Sequence, residues 1–116
     1  MRKNMIILLL VILFLMFSMQ AFSHPPSKVT LLIEGIALHV IVNHDVGSAE
    51  DHYIKEILVF LNEKEIIRQI FSMQTGNIQD VSYTIPSLKA GDKITVRTNC
   101  IRGGNRSETI IVEPAS

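Results

Sequence analysis

The sequence predicts an all-β protein, an immunoglobulin-like seven-stranded β-sandwich that follows an N-terminal signal peptide. Three observations predict it. The one long apolar run is confined to the N-terminus; the rest of the chain is short apolar or alternating runs broken by Gly, Asn, Asp and Pro; and no stretch of helical period follows the first run.

The leader comes first. Met1, Arg2, Lys3 and Asn4 precede an unbroken apolar run from Met5 to Phe17, and Ala21 and Ser23 stand at the small-residue positions of a cut before His24. A charged region, an apolar region and a small-residue site read as a secretory signal over 1–23. The rival reading is a retained membrane anchor, but the run falls short of the ~20 residues that span a bilayer. The protein is therefore expected to be exported, periplasmic or secreted, with no membrane attachment after cleavage. No lipid anchor is indicated, because the single cysteine, Cys100, is far from the cut.

Cleavage leaves 93 of the 116 residues, one domain over 24–116. Arg2 and Lys3 depart with the leader, so nine of the eleven basic residues remain against eleven acidic ones. Such a balance offers no basic field for nucleic acid. One cysteine in an exported domain makes no internal disulfide, so the fold must rest on its core or on a metal. The composition leaves open whether the domain meets a second copy of itself in a homo-oligomer.

Strands are expected at 28–33, 37–43, 52–61, 64–71, 81–85, 93–99 and 107–112. The turns between them hold Glu34-Gly35, the loop 45–51, Asn62-Glu63, the loop 73–80, Ala90-Gly91-Asp92 and Gly103-Gly104-Asn105. Helix competes over 54–71, where Glu and Lys are frequent, but Asn62 between two β-rich runs favours a hairpin. Seven short strands in this length suggest the sandwich.

Alternation then assigns faces. Leu38, Val40 and Val42 share a register that ends at His44, and Ile94, Val96 and Thr98 share one that ends at Cys100. If consecutive strands run alternately up and down, His24, His44, His52 and Cys100 all reach the same end of the sandwich. His39 has outward parity in mid-strand and is left out. Imidazole with thiolate suits iron, copper or zinc, and two His with one Cys is also the core of a blue-copper set. The alternative stays open that Cys100 is a small buried hydrophobe and the histidines are ordinary loop residues.

The segments His24-Pro25-Pro26, His44-Asp45, His52-Tyr53-Ile54, Gly91-Asp92-Lys93-Ile94-Thr95-Val96 and Asn99-Cys100, in this order, resemble the iron-binding domain of the desulfoferrodoxin and neelaredoxin group, the superoxide reductases. The resemblance spans nearly all of the domain. It implies an immunoglobulin-like sandwich with iron at one end, held by four equatorial histidines and an axial cysteine thiolate. It further implies reduction of the small anion superoxide to hydrogen peroxide with electrons from a donor the sequence does not identify. Carried over by motif, His24, His44 and His52 match three equatorial ligands and Cys100 the thiolate. The family's fourth histidine falls at Gly103, and the lysine usually near the first ligand has no counterpart in Phe22-Ser23.

That departure leaves two other readings. A non-catalytic metal-binding or accessory module would keep the sandwich without the reaction. Alternatively, a cut before His24 would give it a free amine, and amine and imidazole together would hold copper, as in small copper carriers and lytic polysaccharide monooxygenases with the same type of sandwich. Polysaccharide oxidation itself is disfavoured by the lack of tryptophan, with only Tyr53 and Tyr83 as tyrosines.

Other features have plain readings. Met73, before Gln74, is expected to plug a gap in the core rather than to ligate. Glu63, Lys64 and Glu65 form a solvated hairpin edge, and Lys89, Lys93 and Arg97 are outward charges, with Lys89 a candidate to attract an anion. No Ser-His-Asp set, phosphate-cradling glycine loop or paired zinc-type Cys motif is present.

Overall fold

The computed structural model describes residues 1–17, 24–47 and 51–115. The N-terminal apolar run forms one helix, α1 (Arg2–Phe17), whose side chains from Met5 to Leu15 are exposed. No helix among the described residues is long and apolar enough to cross a membrane. The expected cut before His24 borders residues 18–23, which lie outside the described residues.

Seven antiparallel strands follow: β1 (Lys28–Glu34), β2 (Ala37–Asn43), β3 (Ile54–Leu61), β4 (Lys64–Ile70), β5 (Ile78–Thr84), β6 (Lys93–Cys100) and β7 (Asn105–Ile111). They make a three-stranded sheet in the order β1-β2-β5 and a four-stranded sheet in the order β4-β3-β6-β7. The chain therefore changes sheet three times, between β2 and β3, between β4 and β5 and between β5 and β6, the Greek-key crossing of an immunoglobulin-like sandwich. The hairpin expected at Asn62 is present, and Asn62 and Glu63 both take positive φ, 49° and 73°, the twist that a two-residue turn needs to match its strands.

The two inward rows behave as alternation requires. Leu38, Val40 and Val42 are fully buried and lead to a fully buried His44; Ile94, Val96 and Thr98 are fully buried and lead to Cys100. Val29, Leu31, Ile54, Ile57 and Val59 complete the space between the sheets. Thr98, the polar member of its row, is satisfied by donating its hydroxyl to the Arg106 carbonyl at 3.0 Å.

Three strand starts differ from expectation. β3 starts at Ile54, two residues after His52, because the β3–β6 register shifts between Ile54 and Glu56 and the residues before it form a turn. β5 starts at Ile78, since Asn43 at the end of β2 pairs with it despite the polar Gln79 and Asp80. β7 starts at Asn105, paired with Asn99. In each case a neighbouring strand supplies the hydrogen bonds, which local polarity does not reveal.

The end of the sandwich away from His44 and Cys100 is fastened by Asp92, whose side chain is buried. Its carboxylate accepts from the Asn62 amide at 3.0 Å, the Lys89 backbone N–H at 2.9 Å and the Lys89 ammonium at 3.0 Å. These donors, Asn62 foremost, hold the carboxyl down at about 2. Lys89 is thus tied to the fold at this end. One seam between the sheets is closed by Tyr83 of β5, whose hydroxyl donates to Gln69 of β4 at 2.6 Å. Burial pushes the Tyr83 phenol up to about 12.

Two expectations follow. Asp92 stabilises the fold as the carboxylate, so stability should fall as pH drops from about 3.8 through about 2; Asp92→Asn should lower stability at neutral pH and flatten this acid limb in denaturant titrations. Tyr83 is folded as the neutral phenol, so stability should fall as pH rises from 10.0 to about 12. Tyr83→Phe should remove that alkaline decline and cost about 1 kcal/mol at neutral pH.

Candidate metal centre

His44 follows the last residue of β2, and its backbone N–H donates to the Asn77 carbonyl at 2.9 Å, which extends the β2–β5 ladder by one step. That step keeps the inward parity and drives the imidazole into the end of the core. His52 comes from the turn that enters β3 and is buried. His24 precedes β1 and is exposed, while the nearby Pro26 is buried and Ser27 N–H donates to the Asn43 carbonyl at 2.8 Å. Three segments remote in sequence thus deliver three imidazoles to one place.

The ring centroids are 4.6 Å apart for His44 and His52, 4.9 Å for His24 and His52, and 5.3 Å for His24 and His44. One ligand atom of each lies within 4.8 Å of the others. His24 Nδ1 and His52 Nε2 are 3.3 Å apart. Burial, then the neighbouring His44, Arg102 and His24, lower the His52 pKa and so favour its neutral, ligating form.

Gln74 organises this cluster, and the sequence reading overlooked it. It is almost completely buried and makes four contacts. Its amide nitrogen donates to the carbonyls of His44 at 2.8 Å and Gly76 at 2.7 Å, while its oxygen accepts from Ile54 N–H at 3.2 Å and faces His44 Nδ1 at 3.0 Å. The one signal available was a glutamine in a short loop after a β-strand, which in sequence is indistinguishable from a solvated residue. Its neighbour Met73, expected to fill the core, is instead exposed. The loop turns Gln74 inward because only an amide can satisfy both the carbonyls and the N–H that converge there.

Cys100 ends β6 at the same end of the sandwich, opposite Ile54 in the register, and is buried. Its backbone N–H donates to the Gly104 carbonyl at 2.7 Å, and its sulfur accepts the Arg102 N–H at 3.4 Å. The three-histidine group does not extend to this sulfur. Gly103, where a fourth histidine would fall by resemblance, has φ of +99°, a conformation in which a histidine would be strained. The next residue, Gly104, packs against the peptide linking His24 to Pro25: a Cβ there would lie 2.3 Å from Pro25 N and 2.6 Å from the His24 carbonyl carbon.

The remaining candidates lie elsewhere. His39 is on the outer face of β2, 2.7 Å from the Ser82 hydroxyl and 3.7 Å from Glu34. Glu63, Lys64 and Glu65 are exposed, as expected of a solvated edge; Glu63 pairs with Lys93, and Glu65 with Arg68 at 2.8 Å.

The sequence matches no protein-family model and no curated protein. The fold, by contrast, is shared with solved superoxide reductases. Among solved structures, 78% of the chain superposes on a superoxide reductase (1Fe-SOR) from Giardia intestinalis, covering 98% of that protein at 19% identity with a TM-score of 0.56. It is similarly related to a superoxide reductase (neelaredoxin) from Ignicoccus hospitalis, with 78% of this chain and 82% of that one aligned at 21% identity and a TM-score of 0.51.

Gln74 gives a direct test of this architecture. Gln74→Leu strands the buried carbonyls of His44 and Gly76 and the Ile54 N–H. It should destabilise the fold by roughly 2–4 kcal/mol in chemical denaturation.

Proposed function

We propose that this chain is an exported iron-binding domain that reduces superoxide to hydrogen peroxide, with His24, His44 and His52 as nitrogen ligands and Cys100 as the thiolate. The observation that carries this reading is the convergence of three imidazoles at one end of a superoxide-reductase fold. The donor set suits the metal: neutral imidazoles take a first-row transition ion, and the lowered pKa of His52 keeps its lone pair free of a proton. Copper shares these ligand types and is the metal that competes for the site.

Iron bound there would supply one electron to superoxide, which with two protons becomes hydrogen peroxide. The protein's own groups set the conditions. Gln74 holds the His44 ring in one orientation. The Arg102 N–H stabilises negative charge on the Cys100 sulfur. The Arg102 guanidinium, whose Nε donates to the Asp51 carbonyl beside His52 at 3.4 Å, adds positive potential where a small anion would approach. Exposed His24 leaves that approach open to solvent.

Gly103 supports a second reading, a metal-binding module without catalysis, because its positive φ replaces an imidazole with an empty backbone turn. The two readings separate in one set of measurements. Untagged protein should purify with iron, and His52→Ala and Cys100→Ser should each lose it by elemental analysis. Stopped-flow mixing with superoxide should then show a rapid reaction of the iron-loaded protein; iron without that reaction selects the module. Mass measurement of the mature N-terminus should give a chain beginning at His24, and a retained leader would contradict export by cleavage.

A further inference from the structure

The hydrogen-bonding pattern around His44 contains a mismatch that a metal ion would resolve. Both N–H groups of the Gln74 amide are used on carbonyls, those of His44 and Gly76. The Gln74 oxygen is consequently the atom that faces His44 Nδ1 at 3.0 Å, and Nδ1 must carry a proton to donate to it. A neutral imidazole protonated there has its lone pair on Nε2. Yet Nε2 faces the main-chain carbonyl oxygen of His24 at 3.1 Å. In that form two lone pairs meet at a part-buried contact, and a cation shared by both, a metal ion or a second ring proton, makes the arrangement favourable.

We propose that the His24 carbonyl oxygen is itself a metal donor, so that His24 binds through both Nδ1 and its main chain. This inference rests on the metal-centre reading above. It supplies a fourth donor where Gly103 provides none. The separations fit: adjacent donors around an ion with bonds of about 2.0–2.1 Å lie about 3 Å apart. The pairs His44 Nε2 with His24 O and His24 Nδ1 with His52 Nε2 stand at 3.1 and 3.3 Å. The carbonyl is also held in position, since Gly104 packs directly on the His24-Pro25 peptide and leaves no room for a side chain. An oxygen donor in place of an imidazole makes the set harder, which favours Fe(II) or Mn(II) over Cu(I).

The test uses Cu(II) as a paramagnetic probe in protein grown with carbonyl-13C histidine. Pulsed electron paramagnetic resonance should show imidazole nitrogen couplings together with an isotropic 13C coupling. Gly104→Ala, which displaces the His24-Pro25 peptide, should abolish the 13C coupling, retain the nitrogen couplings and weaken Fe(II) affinity about tenfold. Nitrogen couplings without 13C coupling in the unmutated protein would overturn the inference, leaving the His44 contact a hydrogen bond of the metal-free protein. If nitrogen couplings are absent too, the metal centre itself is refuted. The isotopic measurement needs no substitution, so it decides the matter even if Gly104→Ala does not fold.

Discussion

The buried amide of Gln74 is the interaction on which the functional end of this molecule depends. It joins the two sheets: the end of β2 through His44 and the approach to β5 through Gly76 on one side, and the start of β3 through Ile54 on the other. A sandwich cannot close its ends with apolar side chains alone, because the crossing segments bring unpaired backbone groups there. A single glutamine, with two donors and an acceptor oxygen, satisfies several of these at once. The same contacts fix the orientation of the His44 ring, so closure of the fold and construction of the site are one event.

The two ends of the sandwich solve the same problem with different chemistry. At the far end, Asp92 collects Asn62 and Lys89 and is a carboxylate at every physiological pH. At the site end the Gln74 amide and the three imidazoles take that place.

Much of the site was legible because strand alternation is a local rule. Parity along Leu38-Val40-Val42 and Ile94-Val96-Thr98 is sufficient to send His44 and Cys100 inward, and burial follows that parity without exception. His39 was assigned outward by the same rule and lies there, bonded to Ser82. Gln74 and Met73 were illegible because they sit in a connection without periodicity. Which of two adjacent loop residues turns inward depends on carbonyls and N–H groups contributed by strands 20 and 30 residues away. The starts of β3, β5 and β7 were displaced for a related reason, since each is set by its pairing partner.

By itself the sequence determined the all-β class, the number of strands, the inward rows and the end of the sandwich at which His24, His44 and His52 gather. These follow from alternation, turn chemistry and side-chain identity, all of which act over a few residues. Only the tertiary structure decided how closely His24, His44 and His52 approach one another, that Gln74 holds His44, and that Gly104 presses on the His24-Pro25 peptide. Those facts arise from three sheet crossings and from backbone groups left over where the strands end, and no local pattern encodes the distances at which such ends meet.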